Sequence, residues 1–319
     1  MKRVLVTGAN GFIGTALCQR LQAEGFDVVA ALRSRDTRFA FQGVRSVIIG
    51  PINGQTKWNE AVAGVDIVVH LAARVHVMSE SQSGQIEAYR TVNVDGTGHL
   101  AESAVRAGVR RLVFLSSIKV NGEENPTTYS EHCLPSPEDA YGISKMEAER
   151  ALEEIADRSE MEVVILRPPL VYGPGVKANF LALMRLVSQK IPLPLGSVKN
   201  QRSLIYLGNL VDGIQCCMVH PSAAGQTYLV SDDQDLSTPE LIRFLAFSLN
   251  TKIRLLPCPP FLIRSIAASL GKSYAANRLL GSLTVDISKI RNELSWNPPI
   301  SVESGMLTTA KWFQEERGF

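Results

Sequence analysis

Two adjacent serines end a run of apolar residues in the segment FLSSIKVNG, Phe114 to Gly122. Serine is common in turns, so this pair by itself predicts only the start of a loop. Further along, YGISK places Tyr141 and Lys145 four residues apart, on one face of a helix. A phenol is a poor base at neutral pH, and a lysine ammonium one turn away is expected to lower its pKa. Together the serine, tyrosine and lysine predict proton transfer at a substrate oxygen beside a hydride transfer.

A glycine-rich turn, TGANGFIG at 7–14, follows the first apolar run directly and precedes a helical pattern. Gly8 permits a tight turn, Gly11 lets backbone approach a pyrophosphate, and Gly14 allows close packing of helix on strand. The helix N-terminus then faces the anion. Strand, spacing and helix together predict a dinucleotide site whose contacts come from Gly8, Asn10, Gly11, Phe12, Ile13 and Gly14.

The identity of the dinucleotide depends on the end of the second predicted strand. An NAD site normally has an acidic residue there, whereas VVAALRSRD has Leu32, followed by Arg33 and Arg35. An arginine can pair with the 2′-phosphate of NADP, although a solvated basic loop explains the same residues. The cofactor is therefore expected to be NAD or NADP, and Arg33 with the missing acidic residue favours NADP.

Composition and charge restrict the function classes. The chain of 319 residues has a formal charge of +2, so no strong field attracts nucleic acid. Its five cysteines are odd in number and lack CxxC spacing, which predicts a reducing cytosol, no disulfide framework and no metal site. The N-terminus does not resemble a signal peptide, so we expect a cytoplasmic protein.

Membrane attachment is the remaining question that composition raises. No window holds 18 consecutive apolar residues, so no integral membrane segment is expected. The most membrane-like segment is FLIRSIAASLG, at 261–271. We expect a helix packed on the second lobe, with an interfacial anchor as the less favoured alternative.

Short apolar runs alternate with helix-length segments through the first half of the chain. The runs predict strands at Val4–Val6, Val28–Leu32, Val47–Ile49, Ile67–Leu71, Leu112–Leu115 and Val163–Leu166. Helices are predicted at Ile13–Glu24, Thr91–Ala107 and Tyr141–Arg158. This is the pattern of an α/β protein with a Rossmann-type, doubly wound parallel sheet.

The pattern changes after Arg167, where prolines and glycines interrupt it. We expect a dinucleotide-binding domain at residues 1–168, joined by a return of the chain near 203–232. Residues 169–319 are expected to form mainly a smaller α/β substrate lobe.

Six motifs occur in the order and at roughly the spacing found in extended short-chain dehydrogenases/reductases. They are TGANGFIG, HLAA at His70–Ala73, VNVDGT at Val92–Thr97, the serine pair, YGISK and RPPLVYGPG. The chain resembles, more narrowly, the nucleotide-sugar epimerase/reductase branch that includes UDP-galactose 4-epimerase. The resemblance covers nearly the entire chain, and it implies a UDP-sugar substrate, a nicotinamide dinucleotide and a homodimer formed by the helices at Thr91–Ala107 and Tyr141–Arg158.

The resemblance also implies roles for individual residues. The catalytic serine corresponds to Ser117, counted back from Val120–Gly122, and the acid/base pair to Tyr141 and Lys145. The residues expected along the cofactor are Leu71, Ala72, Ala73, Asn93, Tyr141, Lys145 and Pro168. Those expected to contact the substrate are Ser117, Lys119, Asn179, Arg202 and Arg278. His70 is expected to be a packed residue at a strand end.

Three reactions compete within this branch. The 4,6-dehydratases carry an Asp-Glu pair after the catalytic serine or threonine, and Ile118 and Lys119 stand there in this chain, which disfavours dehydration. The second strand ends without its acidic residue, and the third is followed by Pro51 where the family often has an aspartate. A loosely held cofactor would exchange in every cycle, as a reductase requires.

The leading expectation is therefore reduction of a UDP-4-keto-(6-deoxy)-N-acetylhexosamine in bacterial surface polysaccharide biosynthesis. The alternative is 4-epimerisation of a UDP-hexose or UDP-N-acetylhexosamine. A regulator that senses a dinucleotide without catalysis belongs to a different class, and it is disfavoured because Tyr141 and Lys145 are both retained.

Overall fold

The structure is a computed structural model that describes residues 1–35, 43–75, 82–125, 127–271 and 273–316. Apolar and β-branched residues dominate the strands at its centre, because such side chains suit a sheet buried on both faces. The strands of the described residues are β1 (Arg3–Thr7), β2 (Asp27–Leu32), β3 (Arg45–Ile48), β4 (Ile67–His70), β5 (Arg111–Leu115), β6 (Glu162–Arg167), β7 (Leu170–Tyr172), β8 (Leu204–Tyr206) and β9 (Thr227–Leu229).

Seven of these strands form one sheet in the order β3-β2-β1-β4-β5-β6-β9. Every neighbouring pair in it is parallel. The strand order changes direction beside β1, so the carboxyl ends of β1 and β4 flank the crevice in which doubly wound sheets bind ligands. The Rossmann-type fold that the sequence predicts is confirmed.

Helices cover both faces of the sheet. They are α1 (Phe12–Ala23), α2 (Asn59–Val62), α3 (Gln82–Arg90), α4 (Gly96–Arg106), α5 (Ala140–Asp157), α6 (Ala178–Ser188), α7 (Leu207–Val219), α8 (Thr238–Ser248), α9 (Pro260–Ser269), α10 (Ser273–Leu280), α11 (Ser288–Leu294) and α12 (Val302–Glu315). Along β1, Val4 and Val6 face the core built with α1, α7 and α11, whereas Leu5 faces the core built with α2, α4 and α5. This alternation is the two-residue period of a strand buried on both sides.

A third apolar core lies outside the large sheet. Strands β7 and β8 pair in parallel, and α6, α8, α10 and α12 pack around buried side chains such as Tyr172, Phe180 and Met306. Phe12, at the start of α1, packs against this core and against one core of the large sheet. None of the helices in the described ranges is long and apolar enough to cross a membrane.

The chain crosses more than once between the large sheet and the region around β7 and β8. After β7 and β8 it returns to the large sheet, where β9 pairs with β6. The segment at 283–286 also reaches back, since Ser203 N donates to Leu283 O over 2.8 Å and Tyr129 N to Thr284 O over 2.9 Å. Residues that are distant in sequence therefore complete the walls of one crevice.

The helix predicted at Thr91–Ala107 differs from the observed one. Helix α3 begins earlier, at Gln82, and a π turn at Thr91–Asp95 joins it to α4. A π turn accommodates one extra residue and often occurs at functional sites. Here the turn carries the buried Asn93, so hydrogen bonding by this side chain accompanies the local departure from α-helix.

A buried ion pair attaches α5 to the sheet. Arg167, at the end of β6, contacts both carboxylate oxygens of Glu149 on α5, at 3.0 and 2.5 Å. Its Nη1 also donates to Asn121 Oδ1 over 3.1 Å. Because both charged side chains are almost fully buried, loss of either leaves the other charge unpaired away from water.

Replacement of this arginine tests how much the pair stabilises the fold. We expect Arg167→Met to lower the free energy of unfolding by about 3–5 kcal/mol, because Glu149 is then buried without its partner. Urea denaturation measures the loss. The matched control is Arg158→Met, in an exposed pair with Glu102 at 3.2 Å, which should change stability by less than about 1 kcal/mol. Equal losses in the two variants would contradict the assignment.

Candidate active site

The glycine-rich turn is built to hold an anion against backbone. Gly8 has a φ of 65°, and Gly11 N donates to Gly8 O over 2.9 Å. A Cβ on Gly8 would lie 2.9 Å from Ala72 N, and one on Gly14 would overlap the Gly8 carbonyl oxygen. Gly11 precedes α1 and offers no capping side chain, so the first N–H groups of α1 suit a phosphate. These features fit the pyrophosphate of a dinucleotide.

A buried histidine fixes the loop that follows β4. Thr7 Oγ1 accepts hydrogen bonds from Leu71 N and Ala72 N at 3.2 and 3.1 Å, so its own hydrogen is directed to His70 Nδ1 at 2.6 Å. The other ring nitrogen, Nε2, then donates to Thr97 over 2.9 Å. Burial and, to a smaller extent, the charge of Lys145 together lower the pKa of His70 to about 3. His70 is thus a neutral, packed residue that positions backbone.

Asn93 joins this loop to α5. Its Oδ1 accepts from Arg74 N over 2.7 Å, and its Nδ2 donates to Arg74 O and to Ser144 Oγ over 3.1 and 2.9 Å. The loop Leu71–Ala73 is thereby fixed between the glycine-rich turn and the helix that carries Tyr141. Pro168 lies beyond, buried after β6, and its carbonyl oxygen accepts from Ile118 N over 3.0 Å.

One cavity collects most of the residues expected to act on substrate. Its lining includes Ser117, Lys119, Tyr141, Arg202 and Arg278. The first two come from the segment after β5, Tyr141 comes from α5, Arg202 precedes β8 and Arg278 lies on α10. A substrate in this cavity would contact both parts of the chain.

The two serines after β5 have different surroundings. Ser117 is half-buried at the cavity, and its Oγ caps a short 3₁₀ turn by accepting from Lys119 N over 3.3 Å. Ser116 is buried, and its Oγ has no hydrogen-bond partner among the residues that the structure describes. The geometry therefore favours Ser117 as the hydroxyl that orients a substrate oxygen.

The sequence predicts that Lys145 lowers the pKa of Tyr141, and the structure contradicts this prediction. Burial raises the pKa of its phenol, and Asp139 and Tyr89 raise it further. Burial also lowers the pKa of Lys145 to about 7, although the carboxylate of Glu149 acts in the opposite direction. A lysine that is only partly charged at neutral pH stabilises a phenolate weakly. These shifts favour the protonated form of Tyr141, so its deprotonation sets the pH at which it can act as a base.

Lys119 is held by two carboxylates at the cavity wall. Its Nζ contacts Glu123 Oε1 and Asp139 Oδ2. Burial lowers the pKa of Lys119, but its hydrogen bonds to Asp139 and Glu123 outweigh that effect, so the net pKa is raised. Asp139 also caps α5 by accepting from Gly142 N over 2.7 Å. Lys119 thus connects the serine segment to the first turn of α5, next to Tyr141.

Two arginines give the far side of the cavity its positive charge. Arg202 donates from Nη1 to Gly281 O over 3.0 Å, and Arg278 lies close enough to lower the pKa of Arg202, after the larger effect of burial. Two guanidinium groups that disfavour each other's charge are a suitable site for a diphosphate.

Two predicted contacts lie away from this cavity. Asn179 is exposed at the start of α6 and is not among the residues that line it. Arg33 and Arg35 are exposed directly after β2, at the position where the ribose of a dinucleotide would be recognised. Of the other cofactor residues, Asn10 is exposed in the glycine-rich turn, whereas Ile13 is half-buried in α1.

Sequence reasoning missed three charged residues that support the site. They are Glu123, Asp139 and Glu149. Glu149 could have been noticed, because it follows Lys145 by four residues and so shares a helix face. Glu123 follows Lys119 at the same spacing, although the sequence predicts no helix there, whereas Asp139 has no such signal because it is twenty residues away in sequence.

A dinucleotide cradle beside a Ser-Tyr-Lys group and an arginine pair defines an oxidoreductase-type site for a phosphorylated substrate. The chain belongs to the NAD dependent epimerase/dehydratase family, which it matches over residues 4–231. Enzymes of this family act on nucleotide sugars with NAD or NADP, and the nicotinamide cofactor that the sequence predicts is confirmed.

Individual relatives span nearly the whole chain. It is 44% identical to a UDP-glucose 4-epimerase of Vibrio cholerae, over 98% of this chain and 95% of the relative. It is 26% identical to an N-acetyl-alpha-D-glucosaminyl-diphospho-ditrans,octacis-undecaprenol 4-epimerase of Escherichia coli O157:H7, over 97% and 94%. The solved structure of MoeE5 in complex with UDP-glucose and NAD has a TM-score of 0.79 and 25% identity, with 99% of each chain covered.

The serine pair provides a matched test of the site. We expect Ser117→Ala to lower kcat by about 10²-fold, since it removes a hydroxyl that orients the reacting oxygen. Ser116→Ala should leave kcat within about twofold, because its hydroxyl contacts no partner and its loss costs no hydrogen bond. Steady-state kinetics of both variants measure the difference, and a larger loss from Ser116→Ala would reverse the assignment of the two serines.

Lys119 should act on Tyr141 through charge. Removal of the ammonium in Lys119→Met leaves Asp139 and Glu123 uncompensated, which disfavours the phenolate and raises the pKa of Tyr141. Activity that requires a deprotonated tyrosine rises with pH through that pKa, so the rise should move to higher pH. The measurement is the pH profile of kcat for oxidation of the sugar hydroxyl.

A double variant distinguishes an electrostatic effect of Lys119 on Tyr141 from a direct contact between Lys119 and the substrate. Lys119→Met combined with Asp139→Asn keeps a capping side chain on α5 and removes the one of the two uncompensated carboxylates that acts on the pKa of Tyr141, so the profile should move back toward that of the unmodified chain. A lower kcat with an unshifted profile in both variants would show instead that Lys119 contacts the substrate.

Proposed function

We propose that the chain oxidises and reduces carbon 4 of a UDP-sugar, with 4-epimerisation of a UDP-hexose or UDP-N-acetylhexosamine as the net reaction. The observation that carries the proposal is the single cavity in which Ser117 and Tyr141 face Arg202 and Arg278. It combines a site for proton transfer with a site for a diphosphate. The name of the Vibrio cholerae relative supports epimerisation ahead of the reduction that the sequence analysis favoured.

Each residue of the cavity has a defined task in this reaction. A bound nicotinamide dinucleotide supplies hydride transfer at carbon 4. Tyr141 accepts the proton of the 4-hydroxyl during oxidation and returns it to the carbonyl oxygen during reduction. Ser117 holds that oxygen in place, and Lys145 tunes the pKa of the phenol from the same helix face. The segment after Ser117 offers Ile118 and Lys119 in place of an acid and a base, so water is not eliminated.

The arginine pair is proposed to bind the diphosphate of the substrate. Planar guanidinium groups pair with phosphate oxygens through two parallel hydrogen bonds, and a diphosphate relieves the repulsion between Arg202 and Arg278. The Escherichia coli relative is named for 4-epimerisation of a sugar that is also attached to a diphosphate. Recognition of the diphosphate is therefore the feature we expect such relatives to share.

Reduction of a UDP-4-keto-(6-deoxy)-N-acetylhexosamine is the second candidate. Two observations favour it: β2 ends without an acidic residue, and the raised pKa of Tyr141 favours its protonated form. We further propose that Arg33 binds the 2′-phosphate of NADP, that residues 1–168 and 169–319 act as cofactor and substrate lobes, and that the enzyme works as a cytoplasmic homodimer.

One assay separates the candidates. Purified chain is supplied with UDP-glucose or UDP-N-acetylglucosamine, with and without added NAD or NADP, while absorbance at the wavelength of the reduced cofactor is followed. We expect the 4-epimer to form catalytically with no net change in reduced cofactor. A parallel reaction supplies a UDP-4-keto sugar together with NADH or NADPH. Consumption of the reduced cofactor in proportion to that sugar, with no epimer formed in the first reaction, would establish reduction instead.

A tyrosine variant provides the control for this assay. Tyr141→Phe should lower turnover by at least about 10²-fold and leave cofactor binding nearly unchanged, since only the proton-transfer group is lost. Binding of a dinucleotide by the unmodified chain with neither reaction would support the non-catalytic sensor.

A further inference from the structure

Helix α9 presents an apolar face that the other described residues leave uncovered. None of its residues is buried, and Phe261, Ile266 and the adjoining Leu270 are 65%, 59% and 65% exposed. Only Ile263 and Ala267 pack partly against the core of the second lobe. The predicted helix is therefore present, but its packing is much weaker than expected.

The polar groups on α9 do little to make this surface hydrophilic. Ser265 Oγ donates to Phe261 O over 3.0 Å, and Ser269 Oγ donates to Ile266 O over 2.8 Å. Both hydroxyls are thus satisfied within the helix, as serine hydroxyls are in apolar surroundings. The one charged residue of α9 is the exposed Arg264.

The charged residues in the sequence around α9 are all basic. Between Glu240 and Asp286 the chain contains six basic residues and no acidic residue. Lys252, Arg254 and Arg264 are exposed, the first two just before α9 and the third within it. Apolar side chains beside a stretch of sequence whose charged residues are all basic are the features of a helix that lies in the interface of an anionic membrane.

The position of α9 connects this surface to the cavity. Helix α9 packs against α10, which carries Arg278 in the cavity lining. A lipid surface at α9 would therefore lie on the side of the chain where the arginine pair is found. This placement does not depend on which sugar reaction the site performs.

We propose that α9 binds the surface of a bilayer containing anionic phospholipid, with Phe261, Leu262, Ile266 and Leu270 inserted among the lipid chains. Lys252, Arg254 and Arg264 contact the headgroups. The helix lies in the plane of the interface, since its ten residues are too few to span a bilayer.

Flotation with lipid vesicles tests the proposal on the full chain. We expect the chain to float with vesicles of phosphatidylcholine that contain about one third phosphatidylglycerol, and to bind pure phosphatidylcholine about tenfold more weakly. The double variant Phe261→Ser/Ile266→Ser should lose at least about tenfold of the binding to anionic vesicles. Its unchanged circular dichroism and cofactor binding would show that the fold is retained.

A matched control shows whether the loss of vesicle binding is specific to α9. Phe247→Ser replaces a phenylalanine on α8 that is 66% exposed, and it should bind vesicles as the unmodified chain does. Equal binding by the α9 double variant, or equal loss in the control, would overturn the proposal. Light scattering without lipid tests a different role for α9. If the unmodified chain is a dimer, the double variant is a monomer and neither binds vesicles, then α9 joins two copies of the chain and the membrane proposal is wrong.

Discussion

The attachment of α5 to the segment after β5 is the constraint on which the site depends. Tyr141 and Lys145 belong to α5, whereas Ser117 follows β5, so their relative placement requires these two parts to be fixed together. Charged groups fix them at two points. Lys119 joins Asp139 at the start of the helix, and Arg167 joins Glu149 nearly three turns further along while also donating to Asn121. The second contact is almost fully buried and the first is partly exposed, so the Arg167–Glu149 pair is the more strongly shielded from water.

Charges of both signs lie close together at the cavity. Carboxylates surround Lys119, and a second cavity that shares Glu123 and Arg278 is lined by Glu124, Glu138 and Asp139 as well. Glu123 and Glu124 also act on Arg202. In the proposed function the arginines pair with the diphosphate, which would place the sugar toward Ser117 and Tyr141 without requiring a contact to every hydroxyl.

Much of the fold and part of the site follow from local sequence. The strands and the glycine-rich turn are encoded by short apolar runs and by glycines whose missing Cβ atoms permit close contacts, so their prediction needs no tertiary information. Two features of the site could be predicted only with tertiary information. The π turn at Asn93 accompanies hydrogen bonds to Arg74 and Ser144, and Asp139, one partner of Lys119, comes from a separate segment.

The raised pKa of Tyr141 illustrates the same limit. A spacing of four residues correctly places Lys145 on the face of Tyr141, but the direction of the shift depends on burial, which spacing does not report. Similarly, the apolar pattern of α9 predicts a helix, and only the packed chain shows that most of its apolar side chains remain uncovered.

The return of the chain to form β9 has a consequence for how the protein is made. Strand β6 ends at Arg167, and its outer neighbour begins only at Thr227, about 60 residues later. At a synthesis rate of about 5–20 residues per second, β6 stays an open edge for roughly 3–12 seconds after it leaves the ribosome. Open strand edges pair readily with other chains, so the nascent protein is most prone to aggregate during this interval, before either lobe is complete.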